Sequence, residues 1–514
     1  MNPKRRSARA ALLIVLLPAV VGAGALEART AASAPAAGAG PAHPGPATSP
    51  ASAADSARIA ARLAAVLDTG AMARVHWGID VRDASTGQVL FGRNAHRLFI
   101  PASSLKLVVA AAAAHHLPAS FRYRTTFLAG GPLRDGVLEG DLIVRGRGDP
   151  TISGRYEPAM TTLLAAFADS LRARGVRRIS GAVVADETEW PYQPVHGDWE
   201  AYDLNWWYAA RVGPLGFNDN AVDFRVAPGA VGQRARITWQ PDTRAFHFRN
   251  DTRTVAAGRP TTLDFDRVPG TDSIFAYGEI PADASARTES FAVRDPAHYF
   301  AMVLAEQLAR AGIAIDSAHV RISRPPQLPA RGTVLFEYLS PPLARIVGPV
   351  LQTSQNWFAE QLVRTLGHEV SGEGSWAAGL AVERRFLSDV VGIDSATFRL
   401  RDGSGLSGGN LITPASLSRL LVHVRRDPRQ QVVRDALPVS AAETGSLRRR
   451  LQDLPGRVQA KTGSIRNVDS LSGLLRTDSG RELAFSIVAN GSGVSSARMR
   501  NVIDAAVRIL AAEL

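Results

Sequence analysis

The chain changes texture twice along its length, and this pattern limits its fold more than any single motif. From about Asp55 to residue 120, segments of helical and strand periodicity follow one another. SARIAARLAAVLD places Ile59, Leu63, Ala64 and Leu67 on one helix face. HWGIDVRDASTGQVLFGRN reads as two strands around a polar turn at Ala84 to Gly87. Pro101 then opens an Ala-rich apolar helix that runs to about His116. From about 120 to 330 the chain breaks into short strand-like runs, such as GVLEGDLIVRG and RISGAVVAD, separated by Gly, Pro and Asp. Within this stretch DPAHYFAMVLAEQLARAGI is a helix, with Asp295 as N-cap and Gly312 as its stop. After Leu335 the helical texture returns, and a strand (ELAFSIVANG) and an amphipathic helix (SSARMRNVIDAAVRILAAEL) close the chain. Two like ends around an unlike middle predict one α/β unit split by a large, mostly β insertion. At 514 residues the chain is too long for one ordinary core, which such a split accommodates.

Residues 1–25 carry a basic start (MNPKRRSAR), an apolar run broken by Pro18 and a small-x-small site at Ala23-Gly24-Ala25. They predict a secretory signal peptide, with an uncleaved anchor as the alternative. Residues 26–54 are mostly Ala, Pro, Gly and Ser and predict a flexible linker. The protein is therefore expected to be exported, to the periplasm or cell envelope. Removing the first 25 residues leaves 55 of the 59 basic residues against 47 acidic ones, a balance of +8. That excess suits peripheral contact with an anionic membrane or envelope surface, although an Arg-rich coding bias would produce it too. The absence of cysteine excludes disulfides, thiolate metal sites and a Cys nucleophile. No basic stripe with ordered aromatics points to nucleic acid. No HExxH-like spacing points to a metal, and no cofactor is expected.

Lysine is nearly absent: the chain has only Lys4, Lys106 and Lys461. A desolvated lysine can lose its proton, whereas arginine cannot. Lys106 follows Ser103 by three residues at the start of the apolar helix, so the two share a helix face. A serine hydroxyl needs a neighbouring base to become a nucleophile, and an apolar setting favours the neutral amine. The helix N-terminus adds N–H groups beside an oxyanion. The plainer reading is an N-cap serine and a surface lysine. Lys461-Thr462-Gly463-Ser464 combines a cation, two hydroxyls and a glycine that would let a substrate approach the backbone. On an edge strand this set could hold a carboxylate; otherwise it is a strand ending in a turn. Between them, Ser354-Gln355-Asn356 heads a helix. Ser-x-x-Lys, Ser-x-Asn and Lys-Thr-Gly each occur once, in that order, within the end segments.

This ordered set resembles the penicillin-interacting serine transferases and hydrolases. IPASSLKLVVAAAA, LIVRGRGDPTIS, RDGSGLSGGNLITP, GSLRRRL and QAKTGS are similar to the low-molecular-mass class C penicillin-binding proteins, which are D-alanyl-D-alanine carboxypeptidases and endopeptidases. The resemblance covers about residues 56–514. It implies a serine DD-peptidase/β-lactamase-like transpeptidase fold of α/β (α+β) class, an antiparallel sheet flanked by helices. Residues 55–120 and 334–514 would form the catalytic domain. Residues 121–225 with 290–333 would form a second domain, and 226–289 a third. The resemblance also implies roles. Ser103 would be the acylated nucleophile and Lys106 its base. Ser354 would relay a proton to the leaving nitrogen, and Asn356 would bond the substrate amide or Lys106. Lys461 would set the electrostatics of the relay. Thr462 and Ser464 would hold the terminal carboxylate, with Gly463 between them. The N–H groups of Ser103 and Ser464 would form the oxyanion hole. Peptidoglycan stem peptides would be the substrate and β-lactams covalent inhibitors. Gln355 stands where relatives often carry Asp. Two alternatives are a β-lactamase, against which the long insertion and the Ser354 motif argue, and a non-catalytic envelope-binding protein, which would have no need of Lys106.

Further candidates lie outside the motifs. Relatives can use an insertion acid to bind the free amine of a diaminopimelate side chain; Asp198 is the candidate here, among Asp186, Glu189 and other acids of a Trp- and Tyr-rich segment. The Asp402–Ser407 run either lines the cleft or shapes a turn. Trp206, Trp207 and Tyr208 pack between domains or contact glycan. Asp149 ends a strand, and His115 and His116 close a helix or sit at the surface.

Overall fold

The computed structural model describes residues 53–317, 320–491 and 493–514. The expected signal peptide and nearly all of the expected linker lie outside these residues. The two ends of the chain meet in one antiparallel sheet. Its strands are β1 (His76–Asp83), β2 (Val89–Arg93), β3 (Val458–Ile465), β4 (Val468–Arg476) and β5 (Glu482–Asn490), in the order β2-β1-β5-β4-β3. The seam is β1 on β5, registered from His76 opposite Asn490 to Asp83 opposite Leu483. β3, which carries Lys461, is an edge strand, as its motif requires.

Helices cover both faces, so β4 and β5 are buried almost throughout rather than alternating. On one face lie α1 (Ala53–Leu67) and the closing helix Ser496–Glu513. Ile59, Leu63 and Leu67 join Met499, Ile503, Val507 and Leu510 there. Ala64, expected on that face, is only half-buried. On the other face Pro414–Arg426 packs on β1 and β5, beside a layer of helices around α2 (Lys106–His116). Leu107 to Ala113 of α2 are all fully buried. A helix that is apolar all round has no side to offer water, and it becomes the centre of the helical layer. α3 (Asn356–Ser371) and the helix Leu343–Leu351 pack directly on it.

The insertion has its own core, a buried cluster that runs from Phe127 and Leu164 through Phe224 and Phe265 to Phe300. A five-stranded sheet and a four-stranded sheet use residues from 124–186 and 314–339; two three-stranded sheets fill 221–292. The helix Pro296–Arg310 begins where expected, with the Asp295 carboxylate accepting from His298 N at 3.1 Å, and Gly312 stops it at φ +78°. One boundary differs from expectation. Thr333–Leu339 pairs with Arg124–Ala129 inside the insertion's sheet, so the chain returns to the first unit near 340 rather than 334. Its sequence, TVLFEYL, does not say which sheet it joins, and only the pairing partner decides.

Candidate active site

The three motifs converge at the edge of the sheet. Ala102–Leu105 forms a single 3-10 turn that feeds into α2 at Lys106. The turn is pinned to the sheet by its second serine: Ser104 Oγ shares a hydrogen bond with Ser470 Oγ at 2.8 Å, and Ser470 Oγ donates to Pro101 O at 2.7 Å. Ser103 makes no capping bond, and its half-buried hydroxyl is left to Lys106. Lys106 Nζ lies 2.9 Å from Ser103 Oγ, 2.7 Å from Asn356 Oδ1 and 2.6 Å from Ser404 O. Lys461 Nζ lies 2.9 Å from Ser354 Oγ and 2.6 Å from Thr462 O.

Both lysines are fully buried, whereas Ser103, Ser354, Asn356 and Thr462 are half-buried and Ser464 is exposed. The residues that carry the hydroxyls are thus partly open to solvent, while the lysines are screened from it. Burial pushes Lys106 down to about 7, against the opposing charges of Glu360 and Asp402. Burial, and then the charge on Lys106, hold Lys461 well below the ordinary lysine range. The surface-lysine reading of Lys106 is therefore excluded.

The second motif is held from the insertion. Ser354 adopts φ +60°, a left-handed conformation that a side chain disfavours. The two residues that follow it are tied to the insertion: Gln355 Nε2 donates to Asp219 Oδ2 at 2.8 Å, and Asn356 Nδ2 donates to Tyr208 O at 2.7 Å. Gln355 is thus buried against the insertion, where relatives often carry Asp.

Residues 59–513 match the model of the D-Ala-D-Ala carboxypeptidase 3 (S13) family. A D-alanyl-D-alanine carboxypeptidase of Actinomadura sp. (strain R39) is 34% identical over 459 residues, 87% of this chain and 83% of the relative. The chain belongs to this family of serine DD-peptidases. D-alanyl-D-alanine carboxypeptidase DacB of Haemophilus influenzae is 25% identical over 423 residues, 80% of this chain and 85% of the relative. The crystal structure of penicillin binding protein 4 (dacB) from Haemophilus influenzae shares the fold, with a TM-score of 0.76 at 22% identity over 88% of this chain and 98% of that one. The resemblance to low-molecular-mass class C penicillin-binding proteins and the serine DD-peptidase fold expected from it are borne out.

Several expectations need correction in the peptidase. Gly463 does not leave room for substrate. A Cβ there would lie 2.7 Å from Pro101 O and 2.9 Å from Ser104 N, so the missing side chain admits the turn that carries Ser103. Thr462 and Ser464 do share one strand face, as holding a carboxylate needs, and each hydroxyl also has a protein partner. Thr462 Oγ1 donates to Ser446 Oγ at 3.0 Å, and Ser464 Oγ lies 3.3 Å from Ser496 Oγ. Asp198 is not a free acid: Arg401 pairs with it through two bonds of 2.7 and 2.8 Å, and Ser407 Oγ donates to it at 3.0 Å. The Arg401 guanidinium holds its carboxyl far below the usual range. Asp186 pairs with Arg145 inside the insertion and Glu189 lies 3.5 Å from Arg147, so both serve local ion pairs. Asp149 is buried four residues past the end of its strand and accepts from Thr151 N at 2.8 Å. Trp206 packs on Phe291 in the insertion's core, while Tyr208 packs on the core of the first unit, so this segment bridges the two. His115 and His116 end α2 half-buried against Phe386.

Of the two readings considered for it, the Asp402–Ser407 loop shapes a turn, buried except at half-buried Leu406. Asp402 organises the turn by accepting from Gly405 N, Ser407 N and Asn410 Nδ2, and the turn delivers the Ser404 carbonyl to Lys106. The reading of the motifs missed Glu360, which accepts from Ser404 N at 2.7 Å and Gly403 N at 3.1 Å. A signal was present: in NWFAE, Glu360 stands four residues after Asn356 and so shares its helix face.

Proposed function

We propose that the peptidase is exported and hydrolyses D-Ala-D-Ala termini, or D-Ala–diaminopimelate crosslinks, of peptidoglycan stem peptides through an acyl-enzyme on Ser103. The observation that carries this reading is the buried Lys106 amine 2.9 Å from a half-buried Ser103 hydroxyl. In the neutral form Lys106 takes the Ser103 proton as Oγ attacks the scissile carbonyl carbon. The oxyanion forms beside the N–H groups of Ser103 and Ser464. The C–N bond then breaks: the leaving nitrogen takes a proton from Ser354 Oγ, Ser354 recovers the proton that Lys106 took from Ser103, and Lys461, 2.9 Å from Ser354 Oγ, sets the electrostatics of the relay. The substrate's terminal carboxylate lies along Thr462 and Ser464, beside Lys461. Water then hydrolyses the Ser103 ester. β-Lactams acylate the same serine, and their slow release makes them inhibitors.

The test is release of D-alanine from a stem pentapeptide, run beside the fate of a benzylpenicillin adduct. The reading expects D-alanine from the native protein, none from Ser103→Ala, and a long-lived penicilloyl adduct. An adduct lost within seconds as penicillin is consumed would mean a β-lactamase. No product and no adduct in either protein would mean a binding protein.

A further inference from the structure

We infer that Glu360 is a positioning residue for the base: it holds the Ser404 carbonyl that aims the Lys106 lone pair at Ser103. The inference rests on the reading of Ser103 and Lys106 as nucleophile and base. A neutral amine has two N–H bonds and one lone pair. Three oxygens surround Lys106 Nζ, and two of them, Asn356 Oδ1 and Ser404 O, can only accept. They take both N–H bonds. The lone pair is then left facing Ser103 Oγ, whose O–H donates to it. Without either acceptor the amine could turn and spend an N–H on Ser103 instead.

Each acceptor is itself fixed. The Asn356 amide donates from Nδ2 to Tyr208 O, which settles that Oδ1 faces the lysine. The Ser404 carbonyl belongs to a loop whose two N–H groups, on Gly403 and Ser404, end on the Glu360 carboxylate. Trp376 Nε1 donates to the same carboxylate at 2.7 Å. Burial and the charge on Asp402 push Glu360 up to about 7, and the three N–H donors, with no acceptor for a carboxyl proton among them, pull the other way and favour the carboxylate. Asn356 and Glu360 stand one turn apart on α3, so a single rigid helix face sets the direction of the base.

The groups facing this centre come from every side. Lys461 approaches from β3, Asp402 from the loop, and Glu383 from the helix Trp376–Arg385 behind Glu360. The negative charges of Glu360 and Asp402 favour the ammonium form of Lys106 and so oppose the effect of burial. Removing the Glu360 charge should free the lone pair at lower pH.

The experiment is the pH profile of Ser103 acylation by benzylpenicillin in the native protein, Glu360→Gln and Glu360→Asp, followed by intact mass. In Glu360→Gln the amide N–H groups oppose those of Gly403 and Ser404. The maximal rate should fall about 10- to 100-fold, and the acid limb should move down by about 1 pH unit. Glu360→Asp keeps the charge but shortens the reach, so the maximal rate should fall while the limb stays. A Glu360→Gln protein with the native limb and native maximal rate would overturn the inference. So would a loss of rate that tracks lost thermal stability with no movement of the limb. If Glu360→Gln does not fold, Trp376→Phe removes one donor and keeps the charge; it should lower the maximal rate about 3-fold, and an unchanged rate would overturn the inference. Failure of the native protein to acylate at Ser103 would instead remove the underlying reading.

Discussion

A Cβ on Gly463 would lie 2.7 Å from Pro101 O and 2.9 Å from Ser104 N, closer than non-bonded atoms tolerate. Gly463→Ala should therefore push β3 away from the nucleophile turn. Acylation of Ser103 is expected to fall at least about 100-fold, with about 1–3 kcal/mol of stability lost; rates and urea unfolding measure the two effects. The same scale sets the pH dependence. Lys106 can act as base only when neutral, and burial brings its proton loss down to about 7. The acylation rate should rise with pH up to about 7 and level off above it. A rate that stays flat from pH 5 to 9 would contradict the assignment. The lysine chemistry was legible because a chain so rich in arginine keeps two lysines in its described part, each beside hydroxyls. The role of Gly463 was not, because a glycine's local sequence cannot say which backbone approaches it.

At the scale of elements, the Ser354 turn keeps its left-handed backbone because the next two side chains, Gln355 and Asn356, are tied to the insertion. Gln355→Glu would set a second carboxylate against Asp219 in a buried site. It should destabilise the protein by about 2 kcal/mol or more and lower acylation by at least about 10-fold. Asp219→Asn in the same chain offers the new carboxylate a donor again and should recover much of both losses, so the double-mutant cycle should show strong coupling. Additive losses would show that the contact does not hold the motif. Strands and helices in the end segments, and the caps Asp295 and Gly312 of the insertion's long helix, were readable from period and punctuation. The link from Gln355 to Asp219 was not, because its partners lie 136 residues apart and neither belongs to a periodic pattern.

Across the whole molecule, the insertion and the first unit are joined by a buried arginine. Arg364 of α3 donates to the carbonyls of Gly374, Gln193, Val212 and Pro191, and its guanidinium lies over Trp190 and Trp376. Arg364→Met would leave these carbonyls without their donor and should cost about 3–5 kcal/mol. A change below about 1 kcal/mol in chemical denaturation would show that the junction is held elsewhere. The split of the chain was legible from texture alone. The rejoining of β1 with β5 was not, since each strand is equally apolar whichever neighbour it takes. The central claim is that Ser103 is activated by a neutral lysine, and it is tested most directly by Lys106→Arg. Arginine keeps the positive charge but cannot give up its proton. In an intact-mass time course with benzylpenicillin, beside Ser103→Ala, the account predicts one penicilloyl adduct on the native protein and none on either variant. A Lys106→Arg protein that acylates at the native rate would contradict it.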